Sequence, residues 1–254
     1  MSSRMTILGA PIDALTKRQI IERLSALLAS PGQSQVCTPN PEMLVAASRH
    51  PELLSVLRRS TLNTPDGIGL LLAARVCGAS LPERVTGTDL VPAIAELSGA
   101  KLFLLGAAPG VADRAASKLR VFVPNTQVVG TFSGSPAEEE SKGIIDRINA
   151  SGANVLFVAF GVPTQELWID RYLSSFSSVR IAIGVGGAFD FLAGKQKRAP
   201  ALLRAIGLEW AWRLCMQPSR LPRIFTAIVH FPLLVLRYRS ASPIRRADDL
   251  FRTR

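Results

Sequence analysis

The stretch Asn63-Thr64-Pro65-Asp66-Gly67-Ile68-Gly69 holds the residue types and spacing most suited to chemistry. A short β-type run, Ser60 to Asn63, precedes it, and an apolar helical run, Ile68 to Val76, follows. An Asp at such a junction stands at the carboxyl end of a strand, where open α/β sheets bind ligands. Pro65 and Gly67 on either side fix a sharp turn, so the carboxylate is aimed. Two roles fit Asp66: a general base or ligand-gripping carboxylate, and the N-cap of the helix that follows. Other turns carry polar groups in the same way. Thr38-Pro39-Asn40-Pro41-Glu42 is a rigid loop with polar side chains at its tip. Arg84-Val85-Thr86-Gly87-Thr88-Asp89 sets an Arg beside a Gly and two Thr, which suits an anion, although a surface Arg reads the same way. Gly106-Ala107-Ala108-Pro109-Gly110 has the form of a phosphate-binding βα turn but lacks the full G-x-G-x-x-G.

The elements that must position these turns follow from the pattern along the chain. Met5 to Leu8 reads as a first strand, and Thr16 caps an amphipathic helix carrying Ile20, Ile21, Leu24, Leu27 and Leu28. A strand at Gln35 to Thr38, helices at Met43 to Ser48 and Glu52 to Arg59, and the helix Ile68 to Cys77 come next. Thr88 is the expected N-cap of a helix over Leu90 to Leu97. From Lys101 the alternation is regular. Strands at Leu102–Leu105, Gln127–Val129, Asn154–Ala159 and Arg180–Gly184 are separated by helices at Val111–Arg120, Pro136–Asn149 and Leu167–Leu173. Strands alternating with helices predict an α/β fold: a Rossmann-like, mainly parallel sheet with helices on both faces.

After Gly194 the character changes. Residues 195–254 hold 13 Lys and Arg against 3 Asp and Glu, a net of +10, while the first 194 hold 17 against 16. Two units are therefore expected: an α/β domain over 1–194 and a basic, partly apolar helical appendage over 195–254. The appendage begins with the basic loop Lys195 to Pro200 and a helix over Leu202 to Met216. Ile224 to Leu236 then forms an apolar run of 13 residues, interrupted by Pro232 and flanked by Arg220, Arg223, Arg237 and Arg239. No run of about 18 apolar residues exists, so the run is read as too short to span a bilayer; it docks on protein or lies at an interface. The charge asymmetry calls for a polyanionic partner. Three widely spaced cysteines give no zinc signature and fit a reducing compartment. The amino-terminal residues do not form a secretory signal, so a cytosolic protein is expected.

Several of these loops, taken in order, resemble the signature blocks of one family. Thr38-Pro39-Asn40-Pro41-Glu42, Thr64-Pro65-Asp66-Gly67, Arg84 to Asp89, Gly161-Val162-Pro163-Thr164-Gln165-Glu166 and Gly184-Val185-Gly186-Gly187-Ala188-Phe189-Asp190 are similar to those of the WecG/TagA/CpsF glycosyltransferases (glycosyltransferase family 26). Gly194 to Pro200 and Gly207-Leu208-Glu209-Trp210 extend the match to roughly residues 5 to 225. One departure is Thr164, where the family usually carries Lys. The resemblance implies an inverting transfer from a UDP-sugar to a polyprenyl-diphosphate-linked saccharide at the inner face of the cytoplasmic membrane, in cell-surface polysaccharide synthesis. The sugar would be N-acetylmannosamine, its uronic acid or a hexose. It also implies no cofactor and no bound metal. Carried over by motif, Asp66 is the base, Thr38 and Asn40 line the sugar pocket, and Gln165 touches donor or acceptor. Arg84 lies near phosphate, and Gly186, Gly187 and Asp190 bind substrate. Arg213, Arg220 and Arg223 belong to an appendage that touches the membrane and completes the site. A homo-oligomer is compatible with all of this.

The residues support that reading on their own terms. An inverting transfer needs one base for the acceptor hydroxyl. A leaving diphosphate without a metal needs arginines and backbone N–H groups, and no D-x-D run is present for a cation. A nucleic-acid-binding protein is disfavoured, because the basic segment is interleaved with Leu, Ile, Val and Phe rather than with stacking aromatics. A dehydrogenase is disfavoured by the missing glycine fingerprint. A non-catalytic nucleotide- or polyanion-binding α/β protein remains the alternative if Asp66 is only a cap. His50 and His230 are read as structural.

Overall fold

A computed structural model describes residues 4–196, 199–200, 202–203 and 209–241. Residues 197 and 198 of the expected basic loop, 204–208 of the expected helix over Leu202 to Met216, and 242–254 lie outside the described residues, as does the side chain of Arg213.

Six strands form one wholly parallel sheet in the order β4-β3-β8-β7-β5-β6. They are β3 (Ser34–Cys37), β4 (Leu62–Asn63), β5 (Lys101–Gly106), β6 (Gln127–Phe132), β7 (Val155–Ala159) and β8 (Ile181–Gly184). Alternation along the strands builds two layers. Leu102, Leu104, Val155, Phe157, Ile181 and Ile183 face α1 (Lys17–Ala29), α5 (Gly87–Ala95), α6 (Val111–Phe122) and α9 (Ala188–Leu192). Phe103, Leu105, Leu156, Val158 and Ala182 face α7 (Glu138–Ser151) and α8 (Thr164–Tyr172). A third cluster joins Cys37 to α2 (Pro41–Ala47), α3 (Pro51–Arg59) and α4 (Ile68–Val76).

The α/β fold expected from the sequence is the one observed, with local corrections. The first strand, β1 (Arg4–Ile7), does not join the main sheet; it pairs antiparallel with β2 (Ala10–Asp13) in a separate ribbon. Leu8 and Gly9, both at positive φ, make the two-residue turn that a parallel sheet cannot use. The ribbon is pinned by a partly buried pair: Arg4 Nε donates to Asp13 Oδ1 at 2.7 Å, and Arg4 Nη2 donates to the Thr61 carbonyl at 2.6 Å. Asp13 Oδ2 accepts the Asn63 N–H at 2.7 Å, fixing β4 just before the Asp66 turn. The N-cap of α5 is Thr86, not Thr88. Its hydroxyl accepts the Asp89 N–H, so α5 starts one turn earlier than expected.

The carboxy-terminal segment is helical through α10 (Glu209–Met216), a 3₁₀ turn at Pro218–Arg220, α11 (Leu221–Phe225), a π turn at Thr226–His230 and α12 (Phe231–Ala241). Pro232 does not interrupt it. The π turn leaves Pro232 in the first turn of α12, where a missing N–H is tolerated. The apolar run is thus part of a helical stretch from Pro218 to Tyr238, 21 residues long and, by length and composition only, sufficient to cross a bilayer. One side of it packs on the body: Ile224, Phe231 and Val235 are buried, the last two against the α2–α4 cluster.

Candidate functional site

The loops singled out in the sequence gather at the carboxyl edge of the sheet, after β3, β4, β5, β7 and β8. This is the edge where a parallel α/β sheet takes its ligands. A cavity of about 470 Å³ lined by Glu96, Phe122, Asn125 and Gln127 opens at the opposite edge, at the amino ends of β5 and β6.

The Asp66 turn is held from both sides through its backbone. The Asp66 N–H donates to the Pro39 carbonyl at 2.8 Å, and the Thr64 N–H donates to the Cys37 carbonyl at 3.0 Å. On the other side the Val85 N–H donates to the Pro65 carbonyl at 2.8 Å, and Thr64 Oγ1 donates to the Val85 carbonyl at 3.2 Å. Three motif loops therefore share one hydrogen-bonded network. Asp66 is half-buried, and it is not the N-cap of α4: that position belongs to Gly67, at φ 102°, where a side chain would be strained. The capping role left open by the sequence is thereby answered.

Thr38 is buried at the end of β3, with Oγ1 3.7 Å from where a β-carbon on Gly87 would sit. Asn40 is the N-cap of α2, and its Oδ1 accepts the Met43 N–H at 2.8 Å. One oxygen of that side chain is thus committed to the helix. Arg84 reaches across to the first turn of α10, with Nη1 3.1 Å from Glu209 Oε2. Asp190 sits on α9 with Lys195 Nζ at 3.8 Å, and Gly187 is the exposed N-cap of that helix.

Gln165 is almost wholly buried in the first turn of α8 rather than in a loop. Its Oε1 accepts the Gly161 N–H at 3.0 Å and the Gly186 N–H at 3.1 Å, so one amide ties the turn after β7 to the turn after β8. Its Nε2 donates to Glu166 Oε1 at 2.7 Å. Glu166 is fully buried, and desolvation raises its carboxyl to about 8, against the partial opposition of hydrogen bonds from Gln165 and its own backbone N–H. Sequence reasoning passed over Glu166. Nothing in the spacing of a Gln-Glu pair distinguishes a buried acid from an exposed one.

The appendage arginines divide. Arg223 Nε donates to Glu42 Oε2 at 2.6 Å, on α2 two residues beyond Asn40, and Arg220 Nε donates to Gln217. Phe231 reaches the site's edge: a β-carbon at Gly69 would lie 2.8 Å from Pro41 Cγ and 3.9 Å from the Phe231 ring. Arg84 with Glu209, and Glu42 with Arg223, then latch the appendage to the two loops that flank Asp66.

The family model for the glycosyl transferase WecG/TagA/CpsF family matches residues 5–244, nearly the whole chain. The chain belongs to this glycosyltransferase family. Among similar curated proteins, the N-acetylglucosaminyldiphosphoundecaprenol N-acetyl-beta-D-mannosaminyltransferase of Bacillus spizizenii is 31% identical over 210 residues, covering 82% of this chain and 80% of that one. The Bacillus subtilis protein of the same name is 31% identical over 229 residues, with 89% and 85% covered. The Staphylococcus aureus protein of that name is 29% identical over 228 residues, with 88% and 89% covered. As a member of the WecG/TagA/CpsF family, the chain is a glycosyltransferase, and the loops quoted from its sequence are the ones that its fold assembles.

Proposed function

We propose that this glycosyltransferase moves a sugar of the N-acetylmannosamine type from a UDP-linked donor onto a saccharide carried by a polyprenyl diphosphate, with inversion, and that Asp66 is the base. The names of the similar Bacillus and Staphylococcus proteins support the acceptor and the sugar class. The observation that carries the Asp66 role is its turn, clamped by backbone hydrogen bonds to Pro39 on one side and by Pro65 and Val85 on the other. A base that deprotonates an acceptor hydroxyl in line with a leaving diphosphate needs fixed aim more than a shifted pKa. Thr38, Asn40 and the Gly186-Gly187 turn would face the sugar, with Arg84 and backbone N–H groups taking the diphosphate charge in place of a metal.

Residues from Lys195 onward would serve as the lipid-facing appendage at the inner membrane face. Leu221, Phe225, Ile228, Val229, Leu233 and Leu236 are exposed on the outer side of the helix whose inner side is packed on the body. Ile68, Leu72 and Val76 are exposed along α4, which packs against α12. Such a face, flanked by Arg220, Arg223 and Arg237, fits an interface rich in anionic headgroups. The deciding experiment supplies radiolabelled UDP-N-acetylmannosamine and an N-acetylglucosaminyl-diphospho-lipid and follows label into the lipid extract. No transfer from that donor, its uronic acid or a UDP-hexose would overturn the reading.

A further inference from the structure

The Glu166 carboxyl stands apart from the residues already given roles. It is completely buried beneath the carboxyl edge of the sheet, and Oε2 has no hydrogen-bond partner among the described residues. Oε1 takes one Gln165 Nε2 hydrogen, while the other end of that amide accepts two backbone N–H groups, from the turns after β7 and β8. A side-chain amide could sit either way round. Reversed, its NH₂ would meet two backbone N–H donors, so those donors fix which way round it sits. The backbone of β8 leaves no slack: a β-carbon on Gly184 would sit 2.5 Å from Gln165 Nε2 and 2.6 Å from Glu166 Oε1. The α8 end is fixed too, since Gln35 Nε2 on β3 donates to the Glu166 carbonyl at 2.9 Å.

We propose that Glu166 is a positioning residue: through Oε1 it holds the Nε2 end of the Gln165 amide, whose oxygen faces the two backbone donors, and through that amide it sets the spacing of the Gly161 and Gly186 turns. This rests on the transferase reading, in which those turns hold the donor. The device works with the acid protonated. A neutral carboxyl keeps its carbonyl oxygen for Gln165 and adds no charge to an apolar site, whereas an ionised one would carry a charge into it. The titratable groups around it are Cys37 on β3, whose thiol is pushed up by burial and then by Glu166, and Asp170 one helical turn along, paired with Arg59 of α3 at 2.8 Å. Raised to about 8 by burial, the Glu166 carboxyl holds its proton at neutral pH. It loses that proton as the solution becomes alkaline, and the turns should then lose their register.

The test compares wild type, Glu166→Gln and Glu166→Leu in rate against pH, with UDP binding and thermal melting measured alongside. Glu166→Gln keeps the acceptor and the volume without the titration. It should run within about threefold of wild type at pH 7 and should lack the alkaline fall near pH 8. Glu166→Leu removes the acceptor and should lower kcat by about tenfold or more, the scale on which slight misplacement acts. Melting is a second readout. The folded-state pKa lies above that of the unfolded chain, so wild type loses stability as pH rises from the ordinary carboxylate range through about 8. The Gln variant should be free of that slope. A Gln variant that is inactive at pH 7 would give the carboxyl a chemical role, and one that keeps the alkaline fall would move the titration elsewhere; either overturns the proposal, as does a Leu variant at wild-type kcat. If wild type transfers no sugar at all, the transferase reading fails by itself. UDP affinity and the melting slope then still decide whether Glu166 titrates and holds the turns, and unchanged values in both variants would overturn the proposal.

Discussion

Arg84 Nη1 lies 3.1 Å from Glu209 Oε2, and the two side chains are only 19% and 9% exposed, so the pair is little screened by solvent. It joins the loop that braces the Asp66 turn to the first turn of α10, and it holds the one loop arginine expected near phosphate. Under the proposed function one residue would thus serve two demands, stability of the appendage and charge for the diphosphate. A double-mutant cycle separates them. Arg84→Ala takes one cationic partner from a nearly buried carboxylate and should cost about 1–3 kcal/mol of stability. Adding Glu209→Gln should return part of that stability while leaving transfer and UDP affinity low. If transfer recovers together with melting temperature, Arg84 is structural only.

Asp66→Asn leaves the turn intact, since the turn is held by main-chain hydrogen bonds and the helix cap is Gly67. The expected loss in kcat is about 10²-fold or more, the scale of a general base. UDP affinity should stay within about threefold of wild type. A variant that turns over normally would leave the carboxylate without a catalytic part.

Metal dependence gives a third check. Among the described residues no three His, Cys, Asp or Glu side chains are grouped as a cation site, and the chain has no D-x-D run. EDTA should therefore change the rate by no more than about twofold, against the several kcal/mol of transition-state stabilisation that a Lewis-acid metal gives. Collapse with EDTA and recovery with Mg²⁺ or Mn²⁺ would refute this.

The sequence made the parallel sheet legible because buried strands such as Leu102-Phe103-Leu104-Leu105 and Val155 to Ala159 are apolar on both faces and bounded by turns. The loop motifs were legible because they carry Pro, Gly and polar residues at strand ends. Partner choice was not legible. Thr86 and Thr88 are equal as caps until the Val85–Pro65 hydrogen bond fixes where the chain enters α5. Asn40 and Gln165 looked available for a ligand, yet Asn40 caps its own helix at Met43, and Gln165 also accepts the Gly186 N–H, which only the fold brings near. Met5 to Leu8 read as a strand, but its partner did not show, because alternation does not name a strand's neighbour.

The last prediction concerns the carboxy-terminal helix, where the structure divides what the sequence left as one apolar run. Of the residues expected to meet an interface, Ile224 and Phe231 are buried and Leu234 is partly buried, whereas Phe225, Ile228, Val229 and Leu233 are exposed. Truncation is therefore a poor test, since cutting near Ala199 would strip Phe231 and Val235 from Met43, Leu44 and Leu70 and expose that core. Point variants separate the two faces. Phe231→Ala should cost about 3–5 kcal/mol of stability, as for a buried Phe. The triple variant Phe225→Ser/Val229→Ser/Leu233→Ser should melt near wild type. Each basic residue near anionic lipid adds about 1 kcal/mol of attraction, weakened by salt, and the outer apolar side chains add more on insertion. Full-length protein should float with vesicles containing phosphatidylglycerol at low salt and release as salt rises, while the triple variant stays in the soluble fraction. Wild-type protein that ignores such vesicles at low salt, or a triple variant that floats as well as wild type, removes the outer face of the helix from the membrane.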